Sequence, residues 1–457
     1  MIDTADTADT ADTADTADTA DTATWGARNA HDPTVVRGDD GLWYMFSTDA
    51  ASGLDPVPAG VHVRTSPDLV TWTYRGTALE GVPAPAGSWS GAVGLWAPEV
   101  VRWPTADADA EGDVPRETRW HMYYSASTFG SRTSAIGLAT AAEPAGPWRD
   151  EGIVIATDHA RDTINAIDAA VGYDRDGTPW MLYGSFFGGI HAVELALETG
   201  RRRRDEPGTL IARRPAGVDG AIEGAYVVQR DGRHVLFVSY DSLVDTYSVR
   251  VGISDSITGP YLDHQGRDLT SPTDEHAVST GTKVLGGLRF PGGAGLIAPG
   301  HNSIFHDGTD TFMVHHVRFA DAPTEHEAQI RRVHWTATGW PVVSPHPYAG
   351  DGTERLAAAE PVAGDWDAVR FAPETAGVVD AERVRIESDL MSAGEPVTTH
   401  LTVIPDASSG SAGSGAAAGL DAVVFGAWDP VAGCPVLAFS GIDADGVVWS
   451  GSKTVRS

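Results

Sequence analysis

The stretch Ile222-Glu223-Gly224-Ala225-Tyr226-Val227-Val228, followed by Asp231-Gly232 and then by Arg233-His234-Val235-Leu236-Phe237-Val238-Ser239, decides how the chain is read. An apolar run headed by a polar residue meets an Asp-Gly turn and returns as a second apolar run, the signature of a β-hairpin. The same unit recurs with the heads His31-Asp32-Pro33, Trp96-Ala97-Pro98-Glu99, Ile167-Asp168-Ala169 and Gly300-His301-Asn302. Asp-Gly turns follow three of them, at Asp40-Gly41, Asp176-Gly177 and Asp307-Gly308. The Glu99 unit reaches its second run at Arg119 only after the acidic, proline-containing insertion 104–118. Third runs start at Val61, Ser134, Gly189, Val249 and Ile330. Self-similarity at a spacing of tens of residues marks a repeat architecture. Five units of three or four strands predict an all-β chain built on a five-bladed β-propeller, whose blades cover one another's faces and leave only short edges. A β-sandwich would not produce five equivalent strand triplets.

After residue 353 the rhythm changes. Short apolar runs at 364–366, 384–386, 397–404, 423–425, 436–439 and 447–449 predict a small β-barrel or sandwich, with the Ser/Gly/Ala-rich stretch 406–419 as a flexible loop. At the other end, residues 3–23 are seven perfect copies of Asp-Thr-Ala, too polar and self-repelling to bury anything. The expected organisation is a disordered tail over 1–24, a propeller over 25–352 and a small β domain over 353–457.

The 457 residues carry 63 acidic and 32 basic side chains, a formal net charge of −31. That balance argues against a nucleic-acid partner, since phosphate binding needs clustered Lys and Arg. The one basic run, 201–204, reads as a solvated turn. Cys434 is the single cysteine, which excludes an intramolecular disulfide and a cysteine zinc site. No run of about 18 apolar residues predicts a membrane span. A basic-then-apolar leader is not seen at the start, so the sequence leaves secreted and cytoplasmic locations both open. No organic cofactor and a monomer are expected.

In a propeller the innermost strands line a central channel, and their first residues crowd one end of it. The heads Asp32, Glu99, Asp168, Glu223 and His301 should therefore meet in space. Converging carboxylates repel, so some stay protonated while others ionise. Glycoside hydrolysis needs that pairing of one carboxylic acid with one carboxylate. For any single acid, capping a turn is the plainer reading; recurrence at one register weighs against it. Glu99 is the weakest candidate, because Pro98 and the following insertion suggest scaffold work.

On these residues the sequence resembles glycoside hydrolase family 43, most closely the endo-1,5-α-L-arabinanases. The resemblance is carried by His31-Asp32-Pro33, Trp96-Ala97-Pro98-Glu99-Val100, Ser127-Thr128-Phe129-Gly130, Asn165-Ala166-Ile167-Asp168, Gly184-Ser185 with Gly188-Gly189-Ile190, Ile222-Glu223-Gly224, Gly300-His301-Asn302-Ser303 and Gly339-Trp340-Pro341. It implies Asp32 as general base, Glu223 as general acid, and Asp168 as the residue that holds Glu223 and raises its pKa. It implies inverting cleavage of internal α-1,5-L-arabinofuranosyl linkages of arabinan, with base and acid ~6.5–9.5 Å apart. Trp96 and Phe129 would stack on sugar; His31, Asn165 and Ser185 would hydrogen-bond it. His301 would sit on a largely water-ligated calcium ion, although Ca²⁺ prefers oxygen ligands. The resemblance suggests secretion, and the C-terminal part is similar to the small β domain appended to some extracellular arabinanases. Where the family commonly has proline after the third-motif aspartate, this chain has Ala169, which should loosen Asp168 slightly. The alternatives are an exo-acting α-L-arabinofuranosidase or β-xylosidase of the same fold, and a non-catalytic sugar-binding propeller.

Overall fold

The computed structural model describes residues 22–54, 56–103, 119–406 and 417–455. Five antiparallel blades follow one another along the chain with strand order matching sequence order, four of them four-stranded and the fifth part of a six-stranded sheet. Their innermost strands are His31–Arg37, Trp96–Arg102, Ala170–Tyr173, Ile222–Arg230 and Leu296–Asp307. These five pack side by side into a ring, the first against both the second and the last. The hairpin that opened the reading closes as expected: Arg230 pairs with Arg233, and between them Asp231 and Gly232 have φ of 49° and 72°. Both signs suit the type I′ turn that matches strand twist, and glycine accepts it without steric cost.

Each seam between blades holds its own apolar cluster. Phe46, Val100 and Met122 fill the first seam, Ile136, Val171 and Met181 the second, and Leu182, Val227 and Leu236 the third. Phe237, Met313 and Val333 fill the fourth, and Met45, Phe305 and Phe312 the seam that shuts the ring. The closing seam is also tied by backbone: Asn29 N–H donates to the His326 carbonyl at 2.9 Å and Ala328 N–H to Ala27 at 2.9 Å. The buried Arg64 guanidinium caps the carbonyls of Gly26, Arg28 and Asn29, pinning that entering segment.

The C-terminal region is a closed six-stranded barrel: Gly364–Phe371, Glu382–Glu387, Val397–Pro405, Ala418–Asp429, Cys434–Asp443 and Val448–Thr454. Of the expected loop over 406–419, the final residues belong to a strand that starts at Ala418, and 407–416 lie outside the described residues. Insertion 104–118 and repeat residues 3–21 also lie outside them, while Thr22–Thr24 forms a 3-10 turn. The junction at 352/353 is a packed element: in the helix Asp351–Glu354, Glu354 is buried and accepts from Arg332 at 2.8 Å.

Propeller and barrel share one core. The fourth-seam cluster continues through Val369, Phe371, Ile442 and Val448 of the barrel. Val379–Asp380 pairs in parallel with Leu288–Arg289 of the fifth blade's sheet. Lys283, buried, donates its amine to the Thr375 carbonyl at 2.6 Å, and His346 shares a 2.9 Å hydrogen bond with Ser452. The barrel therefore completes the apolar cover of the fourth and fifth blades.

Candidate active site

Four of the innermost strands carry a β-bulge near their starts. His31 pairs with Thr48 and Thr34 with Phe46; Trp96 with Ser125 and Glu99 with Tyr123; Glu223 with Ser239 and Tyr226 with Phe237; Gly300 with His316 and Ser303 with Val314. The extra residue puts positive φ at Asp32 (50°), Ala97 (40°), Gly224 (57°) and His301 (46°), and Asp168 (60°) adopts it just before the shorter third-blade strand. A bulge re-aims side chains by one position, so the five heads are not equivalent as the sequence suggested. Asp32, Asp168 and His301 share one position. Glu223 lies one residue before it and Glu99 two residues after it. Glu99 accordingly leaves the mouth for a deeper layer, where it accepts from Thr34 Oγ1 at 2.9 Å and Val171 N–H at 3.4 Å.

Holding aspartate, alanine and histidine at positive φ costs free energy that the surroundings must return. Here each blade supports the next. The second strand of a blade ends at the mouth in a hydroxyl or an imidazole that reaches the following blade's head. Ala97 N–H donates to Thr48 Oγ1 at 2.8 Å, Asp168 N–H to Ser125 Oγ at 3.0 Å, and His301 N–H to Ser239 Oγ at 2.8 Å. Ser185 Oγ donates to Glu223 Oε2 at 2.7 Å, and Asp32 N–H donates to His316 Nδ1 at 3.3 Å, which closes the circle.

Asp32 sits among basic groups. His31 Nδ1 lies 2.8 Å and His301 Nδ1 3.1 Å from Oδ1, and Thr48 Oγ1 donates to Oδ2 at 2.6 Å. Burial works against its charge, yet His31 and His301 hold this carboxyl well below the usual range. In return, and despite burial, the Asp32 and Asp168 charges push His301 up to about 10. Asp168 has the opposite environment. Burial pushes it up to about 8, opposed by His301 and reinforced by the nearby charges of Glu223 and Asp32. The raised carboxyl of the mouth is thus Asp168 itself. Glu223 is held by Ser185 and by Tyr247, whose hydroxyl donates to Oε1 at 2.9 Å. Asp168 keeps its place without a following proline, through Ser125 and a 3.4 Å bond from Gly224 N–H.

All nine residues nominated from the sequence line one cavity of about 420 Å³ at the channel mouth. Phe129 is 86% exposed, and its ring lies 5.2 Å from Trp96 at 51°, an open apolar surface rather than blade packing. All three hydrogen-bonding candidates are engaged with protein: His31 by Asp32, Ser185 by Glu223, and Asn165, whose Oδ1 accepts from Ser134 at 2.7 Å. Sequence reasoning missed Thr48, Ser125, Ser239, His316 and Tyr247. The first four stand at the ends of the second runs, a recurrence visible in the sequence. Phe186 and Phe187, at φ of 51° and 33°, also line the cavity and were missed.

The protein side chains alone do not make a calcium site, and an ion on His301 would draw its oxygens from water. His301 spends Nδ1 on Asp32, and the one group among the described residues whose ligand atoms all lie within 4.8 Å is His31, Asp32 and His316. That set is rich in nitrogen, whereas Ca²⁺ takes six to eight oxygens. The His31 and His316 rings are moreover stacked at 3.7 Å and 18°, so their in-plane lone pairs run side by side.

A propeller with paired buried carboxylates and an aromatic rim at the channel mouth belongs to the class of sugar-cleaving proteins. Residues 26–341 match the model of glycosyl hydrolases family 43, and the chain belongs to that family. It is 31% identical over 339 residues to an extracellular exo-α-(1→5)-L-arabinofuranosidase of Cellvibrio japonicus, covering 69% of this chain and 86% of that one. It is 26% identical over 467 residues to the extracellular endo-α-(1→5)-L-arabinanase 2 of Bacillus subtilis, covering 93% of each. The crystal structure of an endo-1,5-α-L-arabinanase from Thermotoga petrophila has the same fold over 94% of this chain and 99% of that one, with a TM-score of 0.76 at 23% identity.

Proposed function

We propose that the protein hydrolyses internal α-1,5-L-arabinofuranosyl linkages of arabinan with inversion. The observation that carries the reading is the split of environments at one mouth: Asp32 kept ionised by histidines, Asp168 kept protonated beside Glu223. Asp32 takes the proton from a water that attacks the anomeric carbon. Glu223 protonates the departing glycosidic oxygen, and Asp168, which accepts from the Gly224 N–H beside it, helps to hold that acid in place. His31 orients Asp32 through their 2.8 Å contact. Trp96 and Phe129 offer flat apolar faces to successive sugars, as does Phe187, which is 44% exposed. His301 serves the base as a cationic partner; calcium has no step in this scheme.

Support for arabinan as substrate comes from relatives named for it in Cellvibrio, Thermotoga and Bacillus, and support for secretion from the word extracellular in those names. The similarity to an exo-acting relative favours a second reading, release of single units from chain ends. Incubation with debranched linear arabinan tests both. Endo-action gives a rapid fall in viscosity and a ladder of arabino-oligosaccharides; one short product from the outset gives the exo reading. Calorimetric binding without any product from pH 5 to 9 would leave a sugar-binding propeller instead. The Glu223→Ala variant should be folded and inactive.

A further inference from the structure

Three stacked rings connect the proposed acid to the proposed base. Tyr247 lies offset-stacked on His316, centroids 5.6 Å apart at 18°, and His316 on His31 at 3.7 Å and 18°. The ends of this stack are the two catalytic contacts: the Tyr247 hydroxyl on Glu223 at 2.9 Å, and His31 Nδ1 on Asp32 at 2.8 Å. The middle ring also touches the base, because His316 Nδ1 accepts the Asp32 N–H. Tyr247 and His316 are both fully buried and come from the fourth and fifth blades, so that with His31 of the first they link the blade of the acid to the blade of the base. Gly300 makes room for the arrangement: a Cβ there would lie 2.1 Å from the Tyr247 ring.

We propose that this stack is the spacer that sets the separation between Glu223 and Asp32, with Tyr247 and His316 as positioning residues. The inference rests on the hydrolytic reading above. An inverting enzyme must hold its carboxyls ~6.5–9.5 Å apart so that one water fits opposite the leaving group. The stack reaches one carboxyl at each end, through the Tyr247 hydroxyl and through His31 Nδ1, so the ring spacings of 3.7 and 5.6 Å constrain how far the two can move apart. Aromatic rings are suited to the task, because they have few rotatable bonds and close packing leaves them no alternative site. Tyr247 does not line the cavity, so its influence on a sugar passes through Glu223.

The test compares wild type with Tyr247→Phe on two substrates. Linear arabinan needs its leaving oxygen protonated; a 4-nitrophenyl α-L-arabino-oligoside departs readily without it. The ring and its packing survive in Tyr247→Phe, so its melting temperature should stay within a few degrees of wild type. We expect kcat on arabinan to fall about tenfold or more, since small misplacements of reacting groups cost that much. KM should stay within twofold, and kcat on the aryl substrate should fall less than threefold. His316→Leu disturbs acid and base together and should lower both rates alike. If that variant fails to fold, Tyr247→Phe alone decides. Equal losses on the two substrates, or no loss on arabinan, overturn the spacer. Wild type inactive on arabinan overturns the functional reading and the spacer with it, whereas active wild type with an unaffected Tyr247→Phe overturns the spacer alone.

Discussion

Glu99 offers the sharpest test of the electrostatics, because it is an acid the channel has swallowed. It is 2% exposed, one layer beneath the mouth, and bonded to Thr34 of the first blade, Val171 of the third and Tyr226 of the fourth. Burial pushes its pKa up to about 8, with those hydrogen bonds and the His301 charge only partly opposing it. Unfolded, the same carboxyl titrates near 4.5. Folding therefore takes up a proton between about pH 4.5 and pH 8, so stability is full below the lower value and falls as pH rises through that window. At ~1.4 kcal/mol per pH unit the loss approaches roughly 5 kcal/mol. With an unfolding entropy of ~2.1 cal/mol/K per residue, a propeller of this size converts that into roughly 7 °C. Glu99→Gln keeps one acceptor oxygen and replaces the acid hydroxyl by an amide donor, but cannot ionise. Thermal melts of both proteins from pH 5 to 9 should nearly coincide at pH 5 and separate by several degrees at pH 9, the variant melting higher. Asp168 titrates in both proteins, so the difference isolates Glu99. A gap of the same size at pH 5 and pH 9 would refute the buried proton.

Three further outcomes follow from the geometry. Thr48→Val removes the donor to Asp32 and the acceptor of Ala97 N–H; it should cost about 1–3 kcal/mol of stability by urea titration and lower kcat more than it raises KM. Phe129→Ala, at a position 86% exposed, should leave the melting temperature within a degree or two while raising KM for long arabinan chains several-fold. Dialysis against EDTA should change neither melting temperature nor activity, given a donor set poor in oxygen; a fall in either that calcium restores would contradict the site as drawn.

The propeller was legible because its cause is local and repeated: alternating apolar residues, Asp-Gly turns and a return run, five times over. The six barrel strands were legible for the same reason. Outer strands were harder, since an edge such as Thr73–Thr77 is partly exposed along its whole length and shows no alternation. The mouth was legible in membership but not in register. A one-residue bulge leaves no mark on composition, yet it separates Glu99 from Asp32 and sends it down the channel. Tyr247 and His316 were hidden for another reason: the partner of Tyr247 lies 24 residues away across its own blade, and that of His316 lies 284 residues away and is reached only by ring closure.

That closure has a consequence for the life of the molecule before it works. The base, Asp32, is made first, but its backbone is gripped by His316 of the last blade, and its entry segment hangs on His326 and Ala328. The fourth and fifth blades in turn lean on a barrel that ends at the chain's final strand. A fragment that lacks the fifth blade therefore carries Asp32 without the backbone contact that holds it.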